Sequence, residues 1–340
     1  MTHDDLAGLN LAGLDRYLHA TGVARSGELR AEFISGGRSN LTFLVRDDSS
    51  RWVLRRPPLH GLTPSAHDMS REYRVVKALA HTAVPVAPAV TLCEDDSVIG
   101  APFQMVDFVD GRVIRTREEL ATLGGPDEIA RCVDGLVRVL ADLHAVDPDS
   151  VGLSNFGRPQ GYLERQVRRW GGQWQFVRSQ DDPRDADVQR LHAALAASVP
   201  PDGPAAIVHG DYRIDNTILD AQDASVVRAV LDWEMSTLGD PLSDVALMCI
   251  YREPSMDFFI GAWTSPMLPS ADVLAQRYSI ISGRELAHWP FYMALAYFKL
   301  AIIAAGVAFR DQLAAGAAQP TDRVHETVAP LIAAGLRALA

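Results

Sequence analysis

The sequence predicts an α+β protein with a small antiparallel β-rich N-terminal lobe and a larger, mainly helical C-terminal lobe. Three observations carry this. With 340 residues, 48% of them hydrophobic, the chain can bury a substantial core, and its length favours two lobes over one small module. Five strand-like apolar runs with one helical pattern among them fill the first third. Past Gly111, leucine-rich runs at helical spacing take over.

Leu11, Leu14 and Leu18 share one face of a first short helix, with Asn10 as its cap. In "LRAEFISGGRSNLTFLVR" two strands flank a Gly-Gly-Arg-Ser-Asn turn, and "RWVLRR" makes a third that stops at Pro57-Pro58, because proline cannot donate to a ladder. "SAHDMSREYRVVKALAHT" is helical, with Ser65 and Ser70 as candidate caps and Val75, Val76 and Leu79 at apolar positions, and it ends before Pro85 and Pro88. "AVTLCED" and "APFQMVDFVDG" are two more strands around an Asp-Asp-Ser turn. The lobes are expected at residues 1–107 and 108–340, joined through 105–111. The second has helical runs at 129–145, 186–198 and 287–313, with short strands between 206 and 233.

A formal charge of −11, from 43 acidic and 32 basic residues, argues against a general nucleic-acid binder. The acidic start "MTHDDLAGLN" has neither a basic region nor an apolar run, so a cytoplasmic protein without a secretory signal is expected. Cys93, Cys132 and Cys249 lack metal or disulfide spacing and are expected to be reduced packing residues. The apolar segment Phe291 to Phe309 is almost long enough to span a bilayer, but Lys299 at its centre favours a buried helix over a membrane anchor.

Phosphoryl transfer needs a carboxylate to orient or deprotonate the attacking hydroxyl, metal ions to neutralise phosphates, and donors that hold the phosphates in line. In "HGDYRIDNTILD", Asp211 can take the hydroxyl proton and Asn216, five residues on, can offer an amide oxygen to Mg²⁺. Sixteen residues later, Asp232 follows the apolar run Ala229, Val230, Leu231, where a strand would deliver a carboxylate to the second face of the metal. The competing readings are an Asx-rich turn for the first stretch and a strand end with a helix cap for the second. Finding both in this order favours the chemistry.

"HGDYRIDN" followed by "VLDWE" resembles the catalytic loop and metal segment of the aminoglycoside phosphotransferase and choline kinase superfamily, distant relatives of protein kinases. "VLRRPP", "SREYRVVKAL", "GYLERQVRRW" and "LDWEMSTLGDPLSDVA" are similar to the branch whose animal members are fused to acyl-CoA dehydrogenases and are implicated in phosphorylating hydroxy acids or their CoA thioesters. The resemblance covers nearly the whole chain. It implies a protein-kinase-like two-lobed fold, ATP and Mg²⁺ as cofactors, Asp211 as catalytic base, Asn216 and Asp232 as magnesium ligands, and Glu72 as the helix carboxylate that positions a phosphate-binding cation.

That cation departs from the kinase pattern. Where kinases usually carry a third-strand Lys, "WVLR" ends in Arg55, and the only lysines are Lys77 and Lys299. Arg55 is therefore the candidate for the α and β phosphates and for pairing with Glu72, on the same strand face as Val53 and opposite Arg56. The competing reading is a surface arginine pair at a sheet edge. Gly36, Gly37, Ser39 and Asn40 occupy the first hairpin, where a Gly-rich loop would cover the phosphates, although a two-glycine turn needs no ligand. Arg213 is expected to reach the transferred phosphate, or else to pair with Asp215 or Asp220. His209 and Asp244 are expected to buttress the loop, while Glu234 either assists the metal or faces solvent.

Arg165, Arg168 and Arg169 lie three and four residues apart, on one side of a helix, with Trp170 and Trp174 one turn apart. On an acidic protein they favour an anionic small-molecule hydroxyl acceptor, a hydroxy acid or hydroxyacyl-CoA. The competing reading is a solvated face paired to Glu164. The expected activity is an ATP- and Mg²⁺-dependent small-molecule kinase, with no nucleic-acid or membrane partner. The alternatives are an aminoglycoside or macrolide antibiotic phosphotransferase, and a catalytically impaired kinase-like nucleotide-binding protein.

Overall fold

A computed structural model describes residues 6–35, 40–59, 68–257, 261–315 and 322–340. The protein is a mixed α+β chain of two compact units. The first comprises residues up to Gly111 together with Arg228–Ser236, and the second comprises Arg112–Val227 and Thr237–Ala340. A single boundary at 107/108 misses this return, because 228–236 is short and carries no composition shift.

In the first unit, α1 (Leu11–Ala20) starts at Asn10, whose side chain accepts from the Gly13 N–H at 2.9 Å, as expected of a cap. Strands β1 (Arg30–Ser35), β2 (Leu41–Arg46) and β3 (Arg51–Arg56), helix α2 (Met69–Leu79), then β4 (Ala89–Cys93) and β5 (Phe103–Asp107) follow. The antiparallel sheet has the order β1-β2-β3-β5-β4. Strand alternation sends Phe43, Val45, Trp52, Leu54, Phe103 and Met105 into one core with Leu14 and Leu18. Each such side chain stabilises by roughly 1.5–3 kcal/mol when fully buried.

Arg56 shares that buried face and is 5% exposed. It survives there because its guanidinium donates to the Gly8 and Ile99 carbonyls at 2.5 and 3.3 Å, and its Nε to the Pro57 carbonyl at 3.1 Å. Helix α2 is capped by Asp68, which accepts from Arg71 N–H at 3.0 Å, and not by either serine. Ser65 lies outside the described residues. Ser70 sits inside the first turn and donates to Glu94 at 2.7 Å.

The second unit contains α3 (Arg117–Ala121), α4 (Pro126–Ala145), α5 (Tyr162–Val177), α6 (Asp185–Ala197) and the short strands β6 (Ala206–Val208) and β7 (Thr217–Leu219). Of β8 (Val227–Val230) it keeps only Val227. Then come β9 (Thr237–Gly239), α7 (Pro241–Ile250), α8 (Ala271–Ser282), α9 (Trp289–Ala315), α10 (Asp322–Glu326) and α11 (Val328–Ala338). Helix α9 packs against α5, α7 and α11. Its stretch Trp289–Arg310 is long and apolar enough to cross a membrane, yet 78% of its apolar window is buried inside the protein, as a core helix requires. All three cysteines are buried free thiols.

Antiparallel pairing of β6 with β9, Ala206 opposite Gly239 and Val208 opposite Thr237, sets β6 beside the strand that leads into α7, and α7 packs back against β6. That pairing positions the candidate site.

Candidate active site

The loop that leaves β6 is held through its backbone. Asp244, in the first turn of α7, is 2% exposed and accepts from the His209 and Gly210 N–H groups at 2.5 and 2.8 Å. His144 Nε2 lies 3.3 Å from the same carboxylate, and its Nδ1 is 2.8 Å from the Tyr278 hydroxyl. Burial opposes the Asp244 charge, but bonds from His144 and the loop backbone outweigh it and hold the carboxyl below its usual range. Gly210 turns at φ 87°, a left-handed conformation open to glycine at no steric cost. Its carbonyl accepts from Lys299 Nζ at 3.0 Å, while His209 Nδ1 accepts from the Asp211 N–H at 3.2 Å. The buttressing expected of His209 and Asp244 is thus the geometry observed.

Asp211 follows this pinned backbone. Its Oδ1 accepts from the Tyr251 hydroxyl at 2.5 Å, and its Oδ2 from Asn216 Nδ2 at 3.1 Å. Asn216 Nδ2 also donates to the Asp211 carbonyl at 2.9 Å, so both recorded contacts use its nitrogen and turn its oxygen away. Arg213 lies 3.2 Å from Asp211 and 3.3 Å from Asp215, with its guanidinium 5.4 Å from the Tyr251 ring centroid. These are not surface pairs. The side chains of Arg213 and Asp215 are 19% and 17% exposed, and burial raises the Asp215 carboxyl against the pull of Arg213. Burial and the neighbouring Asp211 charge raise the Tyr251 phenol well above its ordinary value, so it stays a proton donor.

In the first unit, Arg55 stands on the strand face opposite the core, as the alternation requires. Its Nη1 pairs with Glu72 of α2, and its Nη2 lies 3.1 Å from Oδ1 of Asp232, just after β8. Burial disfavours the guanidinium charge, but Glu72 and Asp232 overcome it and raise the pKa. Arg55 is therefore a fixed cation with two carboxylates, and not a sheet-edge surface arginine. Asp232 is one of two non-glycine residues with positive φ among those described, at 63°. Such a conformation costs on the order of 1–3 kcal/mol and clusters at functional sites. Glu234 beside it is exposed.

The donors fit the implied ligands. Among the described residues Arg55 Nε carries a buried N–H with no acceptor, and Gln104 Oε1, on the partner strand opposite Arg55, is likewise buried without a donor. A nucleotide offers partners of both kinds. The Asn216 amide oxygen and the 31%-exposed Asp232 carboxylate are hard oxygen donors of the kind magnesium takes in small number beside substrate phosphates. Among the described residues no three His, Cys, Asp or Glu side chains form a group that could hold a metal ion. Gly36, Gly37 and Ser39 lie outside the described residues, and Asn40 is 3% exposed.

The arginines of α5 divide. Arg165 bonds the Gln160 and Arg158 carbonyls, Arg168 pairs with Glu164 at 3.1 Å on the exposed face, and Arg169 stacks 5.2 Å from the Trp170 ring. Trp170 and Trp174 are buried, at 6% and 0% exposure, so the expected aromatic surface is core. Sequence reasoning missed Tyr251 and Lys299 as site residues. A charge at the centre of an apolar helix was a usable signal for Lys299; a tyrosine after an apolar helix was none for Tyr251.

The model of the phosphotransferase enzyme family matches residues 30–268. Human acyl-CoA dehydrogenase family member 11 is 34% identical over 96% of the chain, and mouse family member 10 is 34% identical over 94%. The chain spans only 42% and 30% of those relatives. Among solved structures, a Ralstonia eutropha protein provisionally described as an aminoglycoside phosphotransferase is 30% identical, with a TM-score of 0.82 over 97% of this chain and 98% of its own. The aminoglycoside phosphotransferase APH(4)-Ia, solved with AMP-PNP and hygromycin B, shares the fold at 16% identity and a TM-score of 0.64, covering 96% of this chain and 97% of its own.

Proposed function

Because this chain belongs to the phosphotransferase enzyme family, we propose that it is an ATP- and Mg²⁺-dependent small-molecule kinase acting on the hydroxyl of an anionic acceptor, a hydroxy acid or hydroxyacyl-CoA. The observation that carries the reading is the loop of the second unit, in which a backbone pinned by Asp244 presents Asp211 interlocked with Asn216. A carboxylate has about four acceptor sites. Tyr251, Asn216 and Arg213 engage three of them, which leaves one for the acceptor hydroxyl.

In this reading Asp211 orients that hydroxyl and takes its proton as the acceptor oxygen bonds to the γ-phosphorus and the bridging P–O bond breaks to release ADP. Arg213 stabilises the charge that develops on the transferred phosphoryl group. Arg55, fixed by Glu72, binds the α and β phosphates, and Asn40 is kept as a nucleotide-side donor. Asn216 and Asp232 would hold magnesium, which neutralises phosphate charge when bound. An acceptor linked to acyl-CoA is supported by the relatives named as acyl-CoA dehydrogenase family members.

The test is a screen of ATP consumption by the purified protein against hydroxyacyl-CoAs, hydroxy acids, aminoglycosides and macrolides. Transfer to a hydroxyacyl compound, lost in Asp211→Asn with nucleotide binding retained, supports the reading. Transfer to an antibiotic alone, or full activity in Asp211→Asn, overturns it.

A further inference from the structure

Lys299 is the one charged side chain in the apolar heart of α9, and its contacts are unusual for a core lysine. Nζ donates to the Gly210 carbonyl, the residue before Asp211, at 3.0 Å, and lies 6.0 Å from the centroid of the Trp170 ring. An ammonium has three N–H donors. The structure records an acceptor for one of them. Lys299 lines a small cavity with Tyr162, Gln166, Trp170, Ser243, Asp244 and Tyr292. Its free volume of about 20 Å³ holds one water-sized group. Burial pulls the lysine pKa down while Asp244 and Asp211 support its charge, and an oxygen placed in the cavity would give Nζ an acceptor beyond the Gly210 carbonyl.

We propose that this cavity is the acyl-oxygen subsite of the acceptor, in which Lys299 Nζ receives the carboxylate of a hydroxy acid or the thioester carbonyl of a hydroxyacyl-CoA while the substrate hydroxyl lies at Asp211. The inference rests on the kinase reading above and adds to it a specificity-determining cation, with the phosphate chemistry unchanged. It also gives a role to a lysine placed where burying an ammonium is costly. Its bond to Gly210 ties the subsite to the backbone that carries the catalytic carboxylate.

The experiment separates the subsite from the transfer reaction. The intact chain is titrated calorimetrically, without nucleotide, with 3-hydroxybutanoate, with 3-hydroxybutanoyl-CoA, and with 1,3-butanediol, which keeps the hydroxyl and lacks the acyl oxygen. The expected result is binding of at least one acyl ligand. Lys299→Met should weaken it about tenfold or more, and the diol should bind both proteins equally weakly. Tighter binding of the free acid identifies a carboxylate in the subsite, and binding of the CoA ester alone identifies the thioester carbonyl.

Gln166→Leu alters the cavity lining and removes the acceptor of the Trp170 Nε1–H without touching the Lys299 bond to Gly210, and it should also weaken acyl binding should Lys299→Met fail to fold. Equal acyl binding by wild type and both variants, or no acyl binding at all, overturns the proposal and marks the cavity as a water site. In turnover assays Lys299→Met should raise the acceptor KM about tenfold and change the ATP KM less than twofold. An equal loss of kcat for every acceptor at unchanged KM would reduce Lys299 to a prop for Gly210. Lysine-dependent acyl binding without phosphoryl transfer to any acceptor would overturn the kinase reading and leave the subsite standing.

Discussion

The two units hold their functional groups in opposite ways. In the first, charge is fixed by charge: Arg55 lies between Glu72 and Asp232, contributed by a strand, a helix and a turn distant in sequence. In the second, charge fixes backbone: Asp244 accepts two loop N–H groups and Lys299 donates to a loop carbonyl. A side chain held by ions is aimed rigidly and suits a phosphate that arrives with its own charge. A side chain on a pinned backbone keeps acceptor capacity for a reacting hydroxyl.

The sharpest break of this comparison is Asp211→Asn, which removes the proposed base and leaves the backbone clamp whole. Turnover should fall by about 10²–10⁴-fold. The melting temperature should hold within a few degrees and nucleotide affinity within a factor of a few, checked by steady-state kinetics beside calorimetry.

Asp244→Asn attacks the clamp itself. Loss of a buried carboxylate with several partners should cost about 3–5 kcal/mol of stability, measured by urea unfolding. Next in size is Arg55→Met, expected to raise the ATP KM about 100-fold by removing a charged donor. Arg55→Lys should recover much of that loss, because the charge between Glu72 and Asp232 is kept.

A pH series sharpens the comparison further. The Asp244 carboxyl is held below its unfolded value of 3.8, so the stability it lends is complete above that value and is lost as pH falls through the lower, folded value. The gap in unfolding free energy between wild type and Asp244→Asn should therefore be constant from pH 7 to about 5 and shrink below about 4, as thermal melts would show. The smallest effect is expected for Arg168→Ala. Its pair with Glu164 is solvent-exposed, with side chains 68% and 66% accessible, and stability should move by no more than about 0.5 kcal/mol.

Much of this was legible in the chain. Period-two alternation in "LTFLVR" and "RWVLRR" fixes which side chains of β2 and β3 face the core, and so puts Arg55 and Arg56 on opposite faces before any tertiary contact is known. The spacing inside "HGDYRIDN" and the apolar run before Asp232 marked the carboxylates and the amide, because loop chemistry is local in sequence. Three decisions belonged to the tertiary structure. Tyr251 meets Asp211 across 40 positions. Trp170 and Trp174 join the core. Lys299 reaches a carbonyl 89 positions away. The reason is physical: periodicity reports which face of an element is apolar, whereas the partner of a buried polar group is set by how helices pack, and no single segment encodes that.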